Sequence, residues 1–159
     1  MDFDIYKLYY SPIENKKSKI YYGNETRNIV IGTPTIYIED YRANNNNQKY
    51  IICRFDESYN CTKFVEFVEM IEQKIFSDIN NHDESLSITM YKPFYNNHMI
   101  KIFIDDIKTK YFQNDTQIDN IDQLILKDKM LYASLVLDTL NVDKDSCYLK
   151  WDALEINFC

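Results

Sequence analysis

Hydrophobic and polar positions alternate most cleanly near the end of the chain. Over residues 147–158, Cys147, Leu149, Trp151 and Ala153 fall on one face while Tyr148, Lys150 and Asp152 fall on the other, the period-two pattern of a half-buried strand. Residues 131–137 form a run of apolar and small residues and residues 140–145 are polar and turn-prone, so the two stretches predict a hairpin with the one tryptophan turned inward. An indole offers more contact area than any other side chain, and other segments are expected to pack around it.

Upstream, the same reading predicts short strands. Residues 2–10 alternate loosely and predict an edge strand, followed by a loop that starts at Pro12. Residues 19–22 and 28–31 predict two more strands, the second stopped where Gly32, Thr33 and Pro34 force a turn or bulge. Residues 35–39 and 49–55 form a hairpin around Asn44 to Asn47, with Ile36, Ile38, Ile51, Cys53 and Phe55 on the inner faces. Phe64, Phe67, Val68, Ile71, Ile75 and Ile79 then recur at three- and four-residue intervals, which predicts an amphipathic helix with Thr62 as its N-cap and Asn80 and Asn81 at its end. Residues 85–91, 99–104 and 107–112 predict further strands, residues 114–122 are polar, and residues 121–129 read equally as a short helix or an irregular crossing. About nine strands and one central helix predict a mainly β (α+β) fold, an OB-like β-barrel with one capping helix, in a single domain over residues 1–159. A two-sheet sandwich satisfies the same strand count.

Composition supports a strand-rich core. The chain holds 14 Tyr and 9 Phe against two Gly and three Pro, so it is rich in strand formers and poor in linkers. Its abundance of Asn, Ile, Lys and Tyr suits an A+T-rich genome, and the asparagine tetrad is read as a loop tip without a functional role. Formal net charge is −7 and unevenly placed: residues 1–54 carry eight Lys/Arg against six Asp/Glu, residues 55–159 ten against nineteen. Any attraction to phosphate must therefore be local. No run approaches the roughly 20 apolar residues of a membrane span, and the opening MDFDIYKLYY lacks a basic leader and an apolar signal core, so a soluble, intracellular protein without a membrane partner is expected. Cys53, Cys61, Cys147 and Cys159 include no C-x-x-C pair; reduced thiols are expected, with Cys53 and Cys147 in the core and Cys159 exposed.

Reactive chemistry is not legible. With only Gly23 and Gly32, the chain has no glycine loop to cradle phosphate. His82 and His98 sit beside asparagines in polar stretches, without the spacing of a nucleophile, base or metal-ligand set, and the acid pairs Asp83-Glu84 and Asp105-Asp106 read as a solvated rim. The expectation is a protein that is not an enzyme and uses no cofactor or metal.

What the outward faces do show is aromatic residues beside cations. Tyr50 pairs with Arg54, Phe103 with Lys101, Tyr148 with Lys150 and Tyr91 with Lys92, while Tyr21 and Tyr22 precede Arg27. Such faces suit single-stranded nucleic acid, since rings stack on unpaired bases for roughly 1–3 kcal/mol each while cations meet phosphates. These eleven residues are the candidate nucleic-acid-binding set.

The segments NIVIGTPTIYIEDY, QKYIICRFD, FVEFVEMIEQKI, SITMYKPF, MIKIFI and YASLVLDTLNVDKDSCYLKWDALEI, in that order, resemble an OB-fold single-stranded-DNA-binding family of large eukaryotic DNA viruses. The likeness spans residues 25–158; Gly32 and Pro34 match the family's early turn, Pro93 the loop after the helix and Trp151 the last strand, all of them scaffold positions. It implies a sequence-nonspecific single-stranded-DNA-binding protein of viral replication, in the host cytoplasm or at a viral replication site, with viral replication or virion proteins as further partners. The competing reading is a viral protein-interaction or virion-assembly module whose acidic, tyrosine-rich surface meets a basic partner. Oligomeric state and DNA-versus-RNA preference are not legible.

Overall fold

Five strands close on one another into a barrel, each from a stretch where apolar and polar residues alternate. In a computed structural model, which describes residues 3–23, 28–82, 90–122, 124 and 129–159, the strands β1 (Leu8–Tyr10), β2 (Lys17–Tyr22), β3 (Val30–Gly32), β4 (Ile36–Ala43) and β5 (Lys49–Arg54) precede helix α1 (Tyr59–His82). After it come β6 (Met90–Lys92), β7 (Tyr95–Asn96), β8 (Met99–Ile104), β9 (Lys110–Gln113), β10 (Thr116–Ile118), β11 (Met130–Asp143) and β12 (Ser146–Phe158). The sheet runs β1-β2-β11-β4-β5-β8-β12-β9-β10, and because β11 also pairs with β12, the strands β4, β5, β8, β12 and β11 form a closed ring. Within that ring the third and fifth strands in chain order run parallel, with Phe103 opposite Asp152 and Ile104 opposite Ala153. The other four pairings are antiparallel. This is an OB-like α+β barrel.

The two long strands each serve several neighbours. β11 pairs with β4 through Met130 and Leu131, with β3 through Ser134 to Val136, and with β2 through Thr139 to Asn141. β12 pairs in turn with β6, β8 and β9. Register shifts between Ser134 and Leu135 and between Leu137 and Thr139 add the local twist that lets such long strands curve around a barrel.

Several boundaries differ from the sequence expectation, each for a local reason. The turn expected over residues 140–145 is confined to the end of that stretch, since β11 continues to Asp143 and the chain reverses through Lys144, at φ 54°. Leu140, Asn141 and Val142 are buried strand residues, and the Asn141 amide is satisfied by donating to Thr139 Oγ1 at 2.9 Å. Thr62 does not cap α1. The helix begins a turn earlier, where Ser58 Oγ accepts from the Cys61 amide at 3.3 Å and Asp56 accepts from the Ser58 amide at 2.9 Å. Of the expected edge strand, Leu8–Tyr10 is the part that pairs as a strand among the described residues, because Asp4 caps a 3-10 turn over Ile5–Lys7.

Farther along, the stretch expected to be a strand from residue 107 begins as a turn, with Asp105 Oδ1 accepting from the amides of Ile107 and Lys108 at 2.9 and 3.2 Å. The polar stretch after it holds β10, which pairs with β9 across Asn114 and Asp115, both at positive φ as a tight hairpin turn requires. His82 is the last residue of α1 rather than a loop residue. Asp83, Glu84 and most of the strand expected over residues 85–91 lie outside the described residues, as does much of residues 121–129.

The buried residues form one cluster. α1 contributes the stripe Phe64, Val68, Ile71, Ile75 and Ile79, and the ring contributes Ile36, Ile38, Ile51, Ile102 and Leu135 among others. Cys53, Cys61 and Cys147 are buried thiols and Cys159 is exposed. Trp151 is fully buried at 0 % exposure, opposite Leu137 on β11, with its ring 5.8 Å from that of Phe94. Its indole N–H has no hydrogen-bond partner among the described residues. Trp151→Ala is therefore expected to cost about 3–5 kcal/mol in urea unfolding, as for other buried aromatics. Trp151→Phe, which keeps a ring and removes an unsatisfied donor, should cost less than half of that.

Candidate nucleic-acid interface

On the outside of the ring, β5, β8 and β12 turn side chains into one open groove of about 800 Å³. The alternation that points Ile51, Cys53, Ile102 and Ile104 inward leaves Tyr50, Lys101 and Phe103 facing out. Register then decides who meets whom. Tyr50 lies opposite Phe103, and their ring centroids are 6.0 Å apart at a tilt of 58°. Lys101 Nζ sits 4.5 Å from the Tyr50 centroid and 6.0 Å from that of Phe103. From the neighbouring parallel strand, Lys150 Nζ reaches to 5.5 Å from the Phe103 centroid.

The rim of the groove comes from loops. Between β4 and β5 the asparagine tetrad makes a tight turn in which Asn44 Oδ1 accepts from the amides of Asn46 and Gln48, at 2.9 and 3.0 Å, and Asn47 takes φ 59°. Asparagine is the residue that tolerates that left-handed position best after glycine. Gln48 then fastens the loop to the floor, donating from Nε2 to the Ile104 carbonyl at 2.6 Å and accepting from Lys150 Nζ at 3.5 Å. The opposite end is lined by Lys92, Pro93, Phe94 and Tyr148.

Phe94 is held from behind by a buried acid. Glu72 on α1 is only 2 % exposed; one carboxyl oxygen accepts from the Phe94 amide at 2.9 Å and the other has no partner among the described residues. Burial pushes this carboxyl up to about 7, with the charge of Glu69 adding and the Phe94 hydrogen bond opposing. Tyr148 and Leu149 line both the groove and the narrow gap beside Glu72.

Charge in the groove is opposite in sign to that of the chain. Lys17, Lys92, Lys101 and Lys150 face Asp105, Asp106 and Asp152, one positive charge in excess on a protein of formal charge −7. The three acids are also occupied. Asp106 pairs with Lys49 at 3.4 Å, Asp105 holds the turn amides, and Asp152 lies 3.5 Å from Lys150. Burial raises the Asp152 carboxyl from its usual range, partly opposed by the Lys150 charge and reinforced by Asp138 and Asp105.

Of the eleven candidate residues, Tyr50, Lys92, Lys101, Phe103, Tyr148 and Lys150 line this groove. Arg54 does not; it lies four residues along β5 from Tyr50, about 13 Å at the strand rise, and is paired with Glu39 at 3.3 Å and stacked 5.0 Å over Tyr37. Tyr91 packs its ring 5.3 Å from Phe76 of α1. Tyr22 stacks on Phe3 at 4.8 Å and Tyr21 pairs with Tyr9 of β1, both away from the groove. Arg27 lies outside the described residues. The sequence reading passed over Lys17, Asn141, Phe94, Gln48 and the asparagine loop. The turn chemistry of the tetrad was a signal for its geometry; nothing local marked its place beside β8.

The fold so defined, an OB-like barrel, recurs among solved structures. gp2.5, a single-stranded DNA binding protein encoded by bacteriophage T7, superposes with a TM-score of 0.58 over 81 % of this chain and 90 % of that one, at 11 % sequence identity. At that identity the likeness is one of fold. No family model and no curated protein matches the chain in sequence.

The buried acid makes stability depend on pH. Since the folded protein holds the Glu72 proton more tightly than the unfolded chain does, folding is favoured while the carboxyl is protonated, and that advantage is lost as pH rises through about 7. Glu72→Gln, which can still accept from Phe94, is expected to stabilise the protein by about 2 kcal/mol near pH 8 and by little near pH 5, read from urea midpoints at the two pH values.

Proposed function

We propose that this protein binds single-stranded DNA, without enzymatic activity and with little sequence preference, and that it serves DNA replication in a large DNA virus. The observation that carries the reading is the convergence of Tyr50, Lys101, Phe103 and Lys150 on one groove, with Lys92 and Tyr148 along the same wall. OB barrels take oligonucleotides on the face of their second and third strands, beside the loop joining the first and second. Here those strands are β5 and β8 and that loop is the asparagine turn, which lines the groove. The fold shared with a phage single-stranded DNA binding protein supports the same reading. The viral assignment draws on that likeness, on the family resemblance of the sequence and on its A+T-rich composition; it implies an intracellular site of action at viral replication centres. Viral replication or virion proteins remain the proposed protein partners.

The competing protein-interaction reading is favoured by a different surface, where α1 exposes Tyr59, Glu66 and Glu69 to solvent. The two surfaces are distinct, so a docking role on the helix is compatible with DNA in the groove.

Titration of a fluorescent oligothymidine by anisotropy is expected to show binding at low salt, with log affinity falling against log salt by about 0.7 per lysine that meets a phosphate. Absence of binding at low salt, or affinity indifferent to salt, would overturn the reading. Changing Lys101 and Phe103 together to alanine should weaken binding about ten- to a hundredfold while the thermal unfolding transition is kept. Unchanged affinity would place the DNA on another face.

A further inference from the structure

Resting on the single-stranded-DNA reading of the groove, we propose that Tyr50 and Phe103 make it selective for chains that carry unpaired bases over phosphate chains that do not, because they hold the phosphate-seeking lysines on their own ring faces until bases displace them. The geometry is that of a closed latch. Lys101 Nζ lies 4.5 Å over Tyr50 and 6.0 Å from Phe103, and Lys150 Nζ lies 5.5 Å over Phe103. Lys101 has no carboxylate within ion-pair distance among the described residues, so the rings are what positions its ammonium. Backbone pairing fixes the rings in turn, Tyr50 opposite Phe103 and Phe103 opposite Asp152, while Lys150 is drawn to Asp152 and Gln48 as well, at 3.5 Å each.

One face of a ring holds either an ammonium or a base. A strand with unpaired bases can take both ring faces and release both ammoniums to the phosphates alongside, Lys150 leaving Asp152 and Gln48 as well as its ring, so stacking and ion pairing are gained together. Stacking is worth about ten- to a hundredfold per base and an exposed cation–π contact about two- to fivefold, so the exchange favours binding. A duplex keeps its bases in its own stack, and an abasic chain has none. Either must draw the lysines off the rings with nothing to replace them. Lys17 and Lys92, which line the groove without a ring contact among the described residues, remain available to any polyanion and set the baseline.

The test compares two labelled strands of equal length, oligothymidine and its fully abasic counterpart, in low-salt anisotropy titrations of the wild type, Phe103→Ala and Tyr50→Leu. Each substitution is expected to weaken oligothymidine binding about ten- to a hundredfold and to tighten abasic binding about two- to fivefold, because the freed lysine no longer has a ring to leave. Tyr50→Leu carries the test if Phe103→Ala fails to show a cooperative melt. Should the wild type bind oligothymidine while abasic affinity stays constant or falls in the folded variants, the latch is wrong and the DNA-binding reading stands. A wild type that binds neither strand removes both.

Discussion

Closure of the five-strand ring by the β11–β12 hairpin is the constraint on which the remaining structure rests. Every interior strand must pair its backbone donors and acceptors on both sides, and a ring opened at this seam would leave β11 and β12 unpaired along the edges they share. Two unusually long strands solve this by handing their edges from one partner to the next. β11 passes from β4 to β3 to β2, and β12 from β6 to β8 to β9. The register shifts along the hairpin supply the bend, and the buried indole of Trp151 fills the space that the bend encloses.

Closure also creates the groove. A parallel contact between β8 and β12 is short, two residue pairs in all, yet it brings Lys150 within reach of Phe103 and Asp152 beside it. Three neighbouring strands then present rings and ammoniums on one outer wall, while the alternate residues of those strands fill the core. Glu72 links the two sides: a carboxyl buried among the apolar residues of α1 holds the amide of Phe94, whose ring stands between the groove and Trp151. Barrel interior, helix and groove wall are therefore mechanically continuous.

Charge on this acidic protein is placed unevenly. The groove acids are engaged with Lys49, with turn amides and with Lys150, which leaves a locally cationic channel on a chain of negative net charge. Overall attraction for anions is therefore low, and positive potential is confined to the groove. The asparagine loop fits the same economy. Its composition reflects a turn that needs one left-handed residue and an amide to close it, and its position beside Gln48 sets the height of the rim.

Local periodicity determined much of this architecture. The inward faces of β4, β5, β8 and β12, the buried stripe of α1 and the burial of Trp151 all follow from alternation at two or about 3.6 residues, because a strand or helix decides its own faces from neighbours a few positions away. For the same reason Tyr50, Lys101, Phe103, Tyr148 and Lys150 were legible as outward residues. Where polar residues were buried, as at Asn141, the pattern misled, since a satisfied amide inside a strand looks like a turn former. Which outward residues meet was a matter for tertiary structure alone. Gln48 bonds Ile104 across 56 positions and Lys150 across 102, and it is these long-range registers that gather six candidates into the groove and leave Arg54, Tyr91, Tyr21 and Tyr22 elsewhere. Pairing partners are chosen by closure of the whole ring, a condition that no stretch of sequence can express by itself.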